Sequence, residues 1–182
     1  MSMPSVELSP VSLQVYCNFS PRAAVDAAKR MIWQEVRKHG LNPEEYSRWE
    51  HTGAFHWLRQ EPQIWDLLTD TAWLGAGQWA EPQIVLRLPS LESDTWATED
   101  GLHIDEPPPW ANDRKYKAII GVALTDQTVV DGCLHVKMDG QLVPVRLPAG
   151  AAAIMGPMTP HASALNRGPS PRLSVYFRLL EP

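Results

Sequence analysis

The chain has 182 residues, 44% of them apolar and 20% charged, enough for one soluble domain with its own hydrophobic core. Its net charge of −5, with no basic run or stripe, speaks against a nucleic-acid partner, so an anionic ligand would have to be met by local cations. No stretch reaches the roughly 18 apolar residues of a membrane span.

In chain order, Ser20-Pro21 has the character of a helix start, Ser at the N-cap and Pro in the first turn. Ala24, Ala27, Ala28, Met31, Ile32 and Val36 then recur at helical spacing, and Gly40 offers a stop. Pro43-Glu44-Glu45 opens a short helical turn, and Glu61 to Leu68 has the pattern of a further helix. Six of the eight Trp (33, 49, 57, 65, 73 and 79) fall in this part and are expected to pack a helical layer. After residue 82 the character changes. Short strand-like runs alternate with Gly, Pro, Asp and Asn: Ile84–Leu88, Leu102–Ile104, Tyr116–Leu124, Cys133–Val136, Leu142–Val145, Ala152–Met155 and Leu173–Leu180. Asp139-Gly140 suits a two-residue hairpin turn. In the last run Arg172, Ser174, Tyr176 and Arg178 share one face, and Leu173, Val175, Phe177 and Leu179 the other. The expectation is a single domain over 1–182: a helical support layer over 1–80 covering a mainly β sandwich or jelly roll over 82–180.

Two motifs carry the chemistry. His103-Ile104-Asp105 puts an imidazole and a carboxylate at i and i+2, on one face if the segment is a strand. A later histidine, His161 in Pro160-His161-Ala162-Ser163, would complete two histidines and one carboxylate, the facial set that leaves three positions of an octahedral Fe(II) open. Arg172, eleven residues after His161, and Ser174 again stand at i and i+2 and offer a cation and a hydroxyl to a carboxylate. His135 sits in a strand-like run without a following Arg-x-Ser and is expected to be a packing or pocket residue. His51 and His56 are given surface or core roles, and Asn166 is expected to hold the loop after His161.

These residues resemble the phytanoyl-CoA dioxygenase-like branch of the Fe(II)/2-oxoglutarate-dependent oxygenases. The resemblance runs over about residues 82–180. It is carried by Leu86-Arg87-Leu88-Pro89 before the His-x-Asp, by Leu124-Thr125-Asp126 with Asp131-Gly132-Cys133-Leu134-His135-Val136, by Thr159 to Ser163 with Asn166-Arg167, and by Pro171 to Phe177. Lys137-Met138-Asp139-Gly140 departs from the family, which usually has Pro-Gly-Ser-His there, and the chain ends eight residues after Ser174, short of the family's usual C-terminal helices.

The resemblance implies a double-stranded β-helix of cupin-like form packed against helices. It implies Fe(II) on His103, Asp105 and His161, and 2-oxoglutarate on Arg172 and Ser174. It implies O2 as the oxidant, with decarboxylation to succinate coupled to hydroxylation, desaturation or cyclisation of a small molecule, in specialised metabolism or amino-acid modification. Arg87 is a second candidate for a co-substrate or substrate carboxylate, or else a surface ion pair. Trp110, in the Pro-rich stretch after Asp105, and Ser163 are candidate substrate residues, the Trp110 loop being either a lid or a connector. Two other readings stay open: a cupin-type metalloenzyme that does not use 2-oxoglutarate, and a non-catalytic jelly-roll binding protein. Cys17 and Cys133, with no C-x-x-C, are expected as free thiols. Met1 to Pro10 lacks a basic segment followed by an apolar run, so the expected compartment is the cytoplasm. Uncovered strand edges and Trp-rich helices point to self-association as a homodimer.

Overall fold

A computed structural model describes residues 9–38, 40, 42, 78–89, 101–105 and 115–180. They form a mostly β structure of two antiparallel sheets with one helix. The strands are β1 (Leu13–Tyr16), β2 (Gln78–Arg87), β3 (Tyr116–Ala123), β4 (Leu134–Met138), β5 (Gln141–Val145), β6 (Ala152–Met155), β7 (His161–Ser163) and β8 (Arg172–Leu180), and α1 covers Arg22–Lys38. The larger sheet has the order β1-β6-β3-β8-β2 and the smaller β5-β4-β7. Among the described residues no helix is long and apolar enough to cross a membrane.

The central strands of the larger sheet are buried on both faces, and period-two alternation divides their side chains between two cores. Ile84 and Leu86 of β2, Ile120 and Val122 of β3, and Leu173, Val175 and Phe177 of β8 pack on one side against Val25, Ala28, Ile32 and Val36 of α1. Burying a side chain such as Ile32 contributes about 1.5–3 kcal/mol. Ile119 and Ala123 of β3, Ala153 and Met155 of β6, and Tyr176 of β8 face the other way, onto Leu134, Val136 and Val145 of the smaller sheet. The inner face of β8 therefore looks into the space between the sheets, and the site lies there.

Helix α1 starts one residue later than expected, because the Pro21 carbonyl accepts from Ala24 and Val25 at 3.0 and 3.1 Å. Gly40 takes a φ of 77° past its end, as a C-terminal stop requires. The Asp139-Gly140 hairpin is present: both residues have positive φ (50° and 78°), and Met138 pairs with Gln141 across the two-residue turn.

Three expectations need correction. The stretch read as a purely helical layer contributes β1, which closes the larger sheet against β6, and β2 begins at Gln78, ahead of the expected boundary. Leu102–Ile104 is not a strand; only His103 makes a β-bridge. The three-residue β7 was not expected, since His-Ala-Ser carries no apolar alternation. The helices expected near Pro43 and over Glu61–Leu68 lie outside the described residues.

Candidate active site

His103 and His161 are held by reciprocal backbone hydrogen bonds. His103 N donates to His161 O at 3.0 Å, and His161 N donates to His103 O at 2.9 Å. Directly opposed residues of an antiparallel pair project to the same side. The two rings accordingly lie with centroids 4.6 Å apart. On its other edge His161 pairs with Val136 of β4, so one backbone position joins the smaller sheet to the His-x-Asp segment.

Each ring is oriented from behind. His161 Nδ1 donates to Thr159 O at 3.0 Å, and His103 Nδ1 reaches Gly101 O at 3.3 Å. A carbonyl oxygen only accepts, so in the neutral ring Nδ1 holds the proton and Nε2 is the nitrogen left with a lone pair. Both Nε2 atoms face Asp105 Oδ1, at 3.7 Å for His103 and 3.8 Å for His161. One ligand atom from each of the three residues falls within 4.8 Å of the others. Burial pushes the His161 imidazole below its usual pKa, against smaller upward pulls from the Thr159 carbonyl and Asp105, and this favours the neutral form that a metal needs. His103 is far more open, its side chain 58% exposed against 7% for His161.

The cavity at this triad runs along the inner faces of β2 and β8. Gln83, Val85 and Arg87 line it from β2, Tyr176 and Arg178 from β8, Leu134 from β4 and Ser163 from β7. Tyr176 fits because Gly121 lies opposite it on β3: a Cβ there would stand 2.7 Å from the ring.

Arg172 is 1% exposed and stands behind the cavity wall at Ser163. It donates through Nη1 to Gly132 O and through Nη2 to Ser163 Oγ at 3.3 Å. Gly132 has a φ of 72°, and a Cβ there would meet the Ala164 and Leu165 carbonyls at 2.5 Å, so only glycine presents its own carbonyl this way. Burial lowers the Arg172 pKa from its usual value, but a guanidinium stays charged in a protein. Its Nε is buried with no hydrogen-bond partner, and no carboxylate pairs with it among the described residues. Arg87 stands directly across from it in the β2–β8 register and adds a second positive charge nearby.

The structure thus brings His103, Asp105, His161, Arg87 and Ser163 to one cavity, with Arg172 behind Ser163. Ser174 lies alongside but not in the lining; its Oγ accepts from Gln127 Nε2 at 2.8 Å. Trp110 lies outside the described residues. His135 takes no part in the triad. It is not in the cavity lining, and its Nδ1 donates to Cys133 O at 3.1 Å. Asn166 holds the loop after β7, with Nδ2 donating to Arg87 O and Ser170 O and Oδ1 accepting from Gly168 N.

Four residues near the site were given no role from the sequence: Gln83, Gln127, Tyr176 and Arg178. Arg178 could have been found, since a charged residue on the inner face of a buried strand requires a partner. That partner is Asp105.

No family model matches this chain, and no curated protein matches it significantly. Solved structures do. The chain is similar to the non-heme alpha ketoglutarate dependent carbocyclase SnoK from nogalamycin biosynthesis, with 15% identity, a TM-score of 0.68 and coverage of 94% of this chain and 81% of that one. A Pseudomonas putida prolyl-4-hydroxylase matches at 18% identity and a TM-score of 0.57, covering 94% of each chain. EvdO2 from Micromonospora carbonacea var. aurantiaca, complexed with 2-oxoglutarate, matches at 16% identity and a TM-score of 0.59, covering 97% of this chain and 89% of that one. At these identities the shared property is the fold: this chain has the fold of non-heme α-ketoglutarate dependent enzymes.

Proposed function

We propose that this chain is an Fe(II)/2-oxoglutarate-dependent dioxygenase on a double-stranded β-helix, oxidising a small molecule. One observation carries the reading. Two imidazole nitrogens and a carboxylate oxygen converge at one end of a cavity, and a buried, under-partnered arginine stands directly behind Ser163 in its lining. The donor set fits Fe(II), because two histidines and one carboxylate leave three octahedral positions open. The distance fits the co-substrate as well. His161 and Ser163 are two residues apart on β7, about 6.6 Å at strand rise, which suits a five-carbon dicarboxylate anchored at both ends.

In this reading His103 Nε2, His161 Nε2 and Asp105 Oδ1 hold the metal. Arg172 and Ser163 take the distal carboxylate of 2-oxoglutarate, and Arg87 adds its charge at the same end. Ser174, held by Gln127, keeps the Arg172 strand in place. Val85, Leu134 and Tyr176 keep the middle of the cavity dry, which strengthens the charged contacts at both ends. Bound Fe(II) and 2-oxoglutarate would supply O2 activation coupled to decarboxylation to succinate and CO2. Trp110 remains a candidate substrate contact.

The outcome of oxidation is hydroxylation, desaturation or cyclisation in specialised metabolism. The likeness to a carbocyclase from nogalamycin biosynthesis and to a prolyl-4-hydroxylase supports that range. A cytoplasmic setting agrees with two free cysteines. Self-association as a homodimer remains part of the proposal.

The test is succinate formation with and without Fe(II) and 2-oxoglutarate. Succinate that depends on both supports the proposal. Metal bound without 2-oxoglutarate turnover would favour a cupin-type enzyme, and binding of neither would favour a jelly-roll binding protein.

A further inference from the structure

Asp105 divides its two oxygens. Oδ1 faces the two histidine Nε2 atoms. Oδ2 receives Arg178 twice, from Nε at 2.6 Å and from Nη2 at 2.5 Å. Nη2 also donates to Gln83 Oε1 at 2.6 Å, so the guanidinium is held from two sides. An arginine–carboxylate pair is frequently bidentate, with two parallel bonds, one nitrogen to each oxygen. Here both nitrogens converge on one oxygen and leave the other without a donor among the described residues. The pair is largely shielded, with side chains 13% and 11% exposed, so its charge-assisted bonds are worth more than those of a surface pair.

We infer that Arg178 is a positioning residue that restricts Asp105 to one metal-facing oxygen, with Gln83 fixing Arg178 in turn. The inference rests on the proposed metal site. A carboxylate that coordinated through both oxygens would occupy a fourth position on an octahedral ion and leave two. A chelating 2-oxo acid takes two, and O2 needs another. By occupying Oδ2, Arg178 keeps the third position free. Its charge also offsets that of Asp105, which leaves the metal end more attractive to an anionic co-substrate.

The experiment compares the whole protein with Arg178→Met, Arg178→Lys and Gln83→Met. Co(II) serves as the spectroscopic probe, and 2-oxoglutarate binding to the Co(II)-loaded protein is measured by calorimetry without O2. In Arg178→Met the expected result is Co(II) affinity within about tenfold of the parent, the mild edge for a lost ligand partner. It should come with a changed Co(II) visible absorption spectrum and 2-oxoglutarate affinity roughly ten- to a hundredfold weaker. Arg178→Lys should recover part of the parent spectrum, since an ammonium can still cap one oxygen, and Gln83→Met should shift it in the same direction as Arg178→Met by less. If Arg178→Met fails to fold, the other two variants carry the test. Parent-like Co(II) spectra and 2-oxoglutarate affinity in the folded variants would overturn the inference and leave the metal site standing. A parent protein that binds no Co(II) or Fe(II) would overturn both.

Discussion

At the metal end of the cavity, position comes from backbone pairing and the ligand atoms are left bare. His103 and His161 face each other through two main-chain hydrogen bonds, while among the described residues their Nε2 atoms and Asp105 Oδ1 take no hydrogen bond. At the other end the arrangement is reversed. Arg172 is buried to 1% exposure, and its guanidinium is spent on Gly132 and Ser163 with Nε left over. A metal ligand must keep its lone pair unengaged, so it has to be held through its backbone and its far ring nitrogen. A carboxylate anchor works by its donors, so it is best held by burial, where an incoming anion replaces weak partners with strong ones. One cavity with two opposite solutions suits a ligand that is a chelator at one end and an anion at the other.

The largest effects should come from removing the bare atoms. His161→Ala, Asp105→Ala or His103→Ala should each abolish turnover and leave Fe(II) binding below detection in an anaerobic titration, while His135→Ala keeps full metal content. Full activity in any of the three would break the metal end of the comparison. Loss of metal in His135→Ala would mean that the wrong histidine has been assigned.

The next effect belongs to the other end. Arg172→Lys keeps the charge and loses the planar fork. The 2-oxoglutarate requirement should rise by about ten- to a hundredfold, as expected from roughly 1.5–3 kcal/mol for charged hydrogen bonds. Arg172→Ala should be worse, and both should retain metal. Measuring succinate formation against 2-oxoglutarate beside metal analysis separates the two ends.

Smaller effects concern the walls. Gly121→Val should push Tyr176 from its seat and cost about 1–3 kcal/mol of stability, as overpacking does, read as a lower thermal midpoint. Ser174→Ala should strip Gln127 of its acceptor and cost about 1–3 kcal/mol for a buried unsatisfied group, with little change in 2-oxoglutarate requirement. A large change there would put Ser174 at the anion site itself.

The sequence made α1 legible because an apolar stripe with a start and a stop signal is a local property, and β3, β6 and β8 because apolar runs between turn residues are too. It hid β1 and β7, whose four and three residues gain strand character only from neighbours distant in the chain. The triad was legible as residue types in order, but its geometry was not. Alternation along a strand was expected to align His103 with Asp105, whereas the bridge sets His103 beside His161 and Arg178 holds the Asp105 carboxylate. The expectation that Ser174 helps Arg172 hold the 2-oxoglutarate carboxylate did not foresee Gln127, because nothing in a lone Gln announces a partner 47 positions away. Arg178 was visible as a charge on an inward face, yet its meaning depends on Asp105, 73 positions earlier.

The central claim, a metal at one end and a carboxylate at the other of the same cavity, is tested most directly by anaerobic titration of 2-oxoglutarate into the protein with and without Fe(II). The expected result is one equivalent of 2-oxoglutarate bound to the Fe(II)-loaded protein, with binding much weakened when the metal is withheld and again when Arg172 is replaced by Ala. Binding indifferent to both Fe(II) and Arg172, or no binding by the loaded protein, would contradict it.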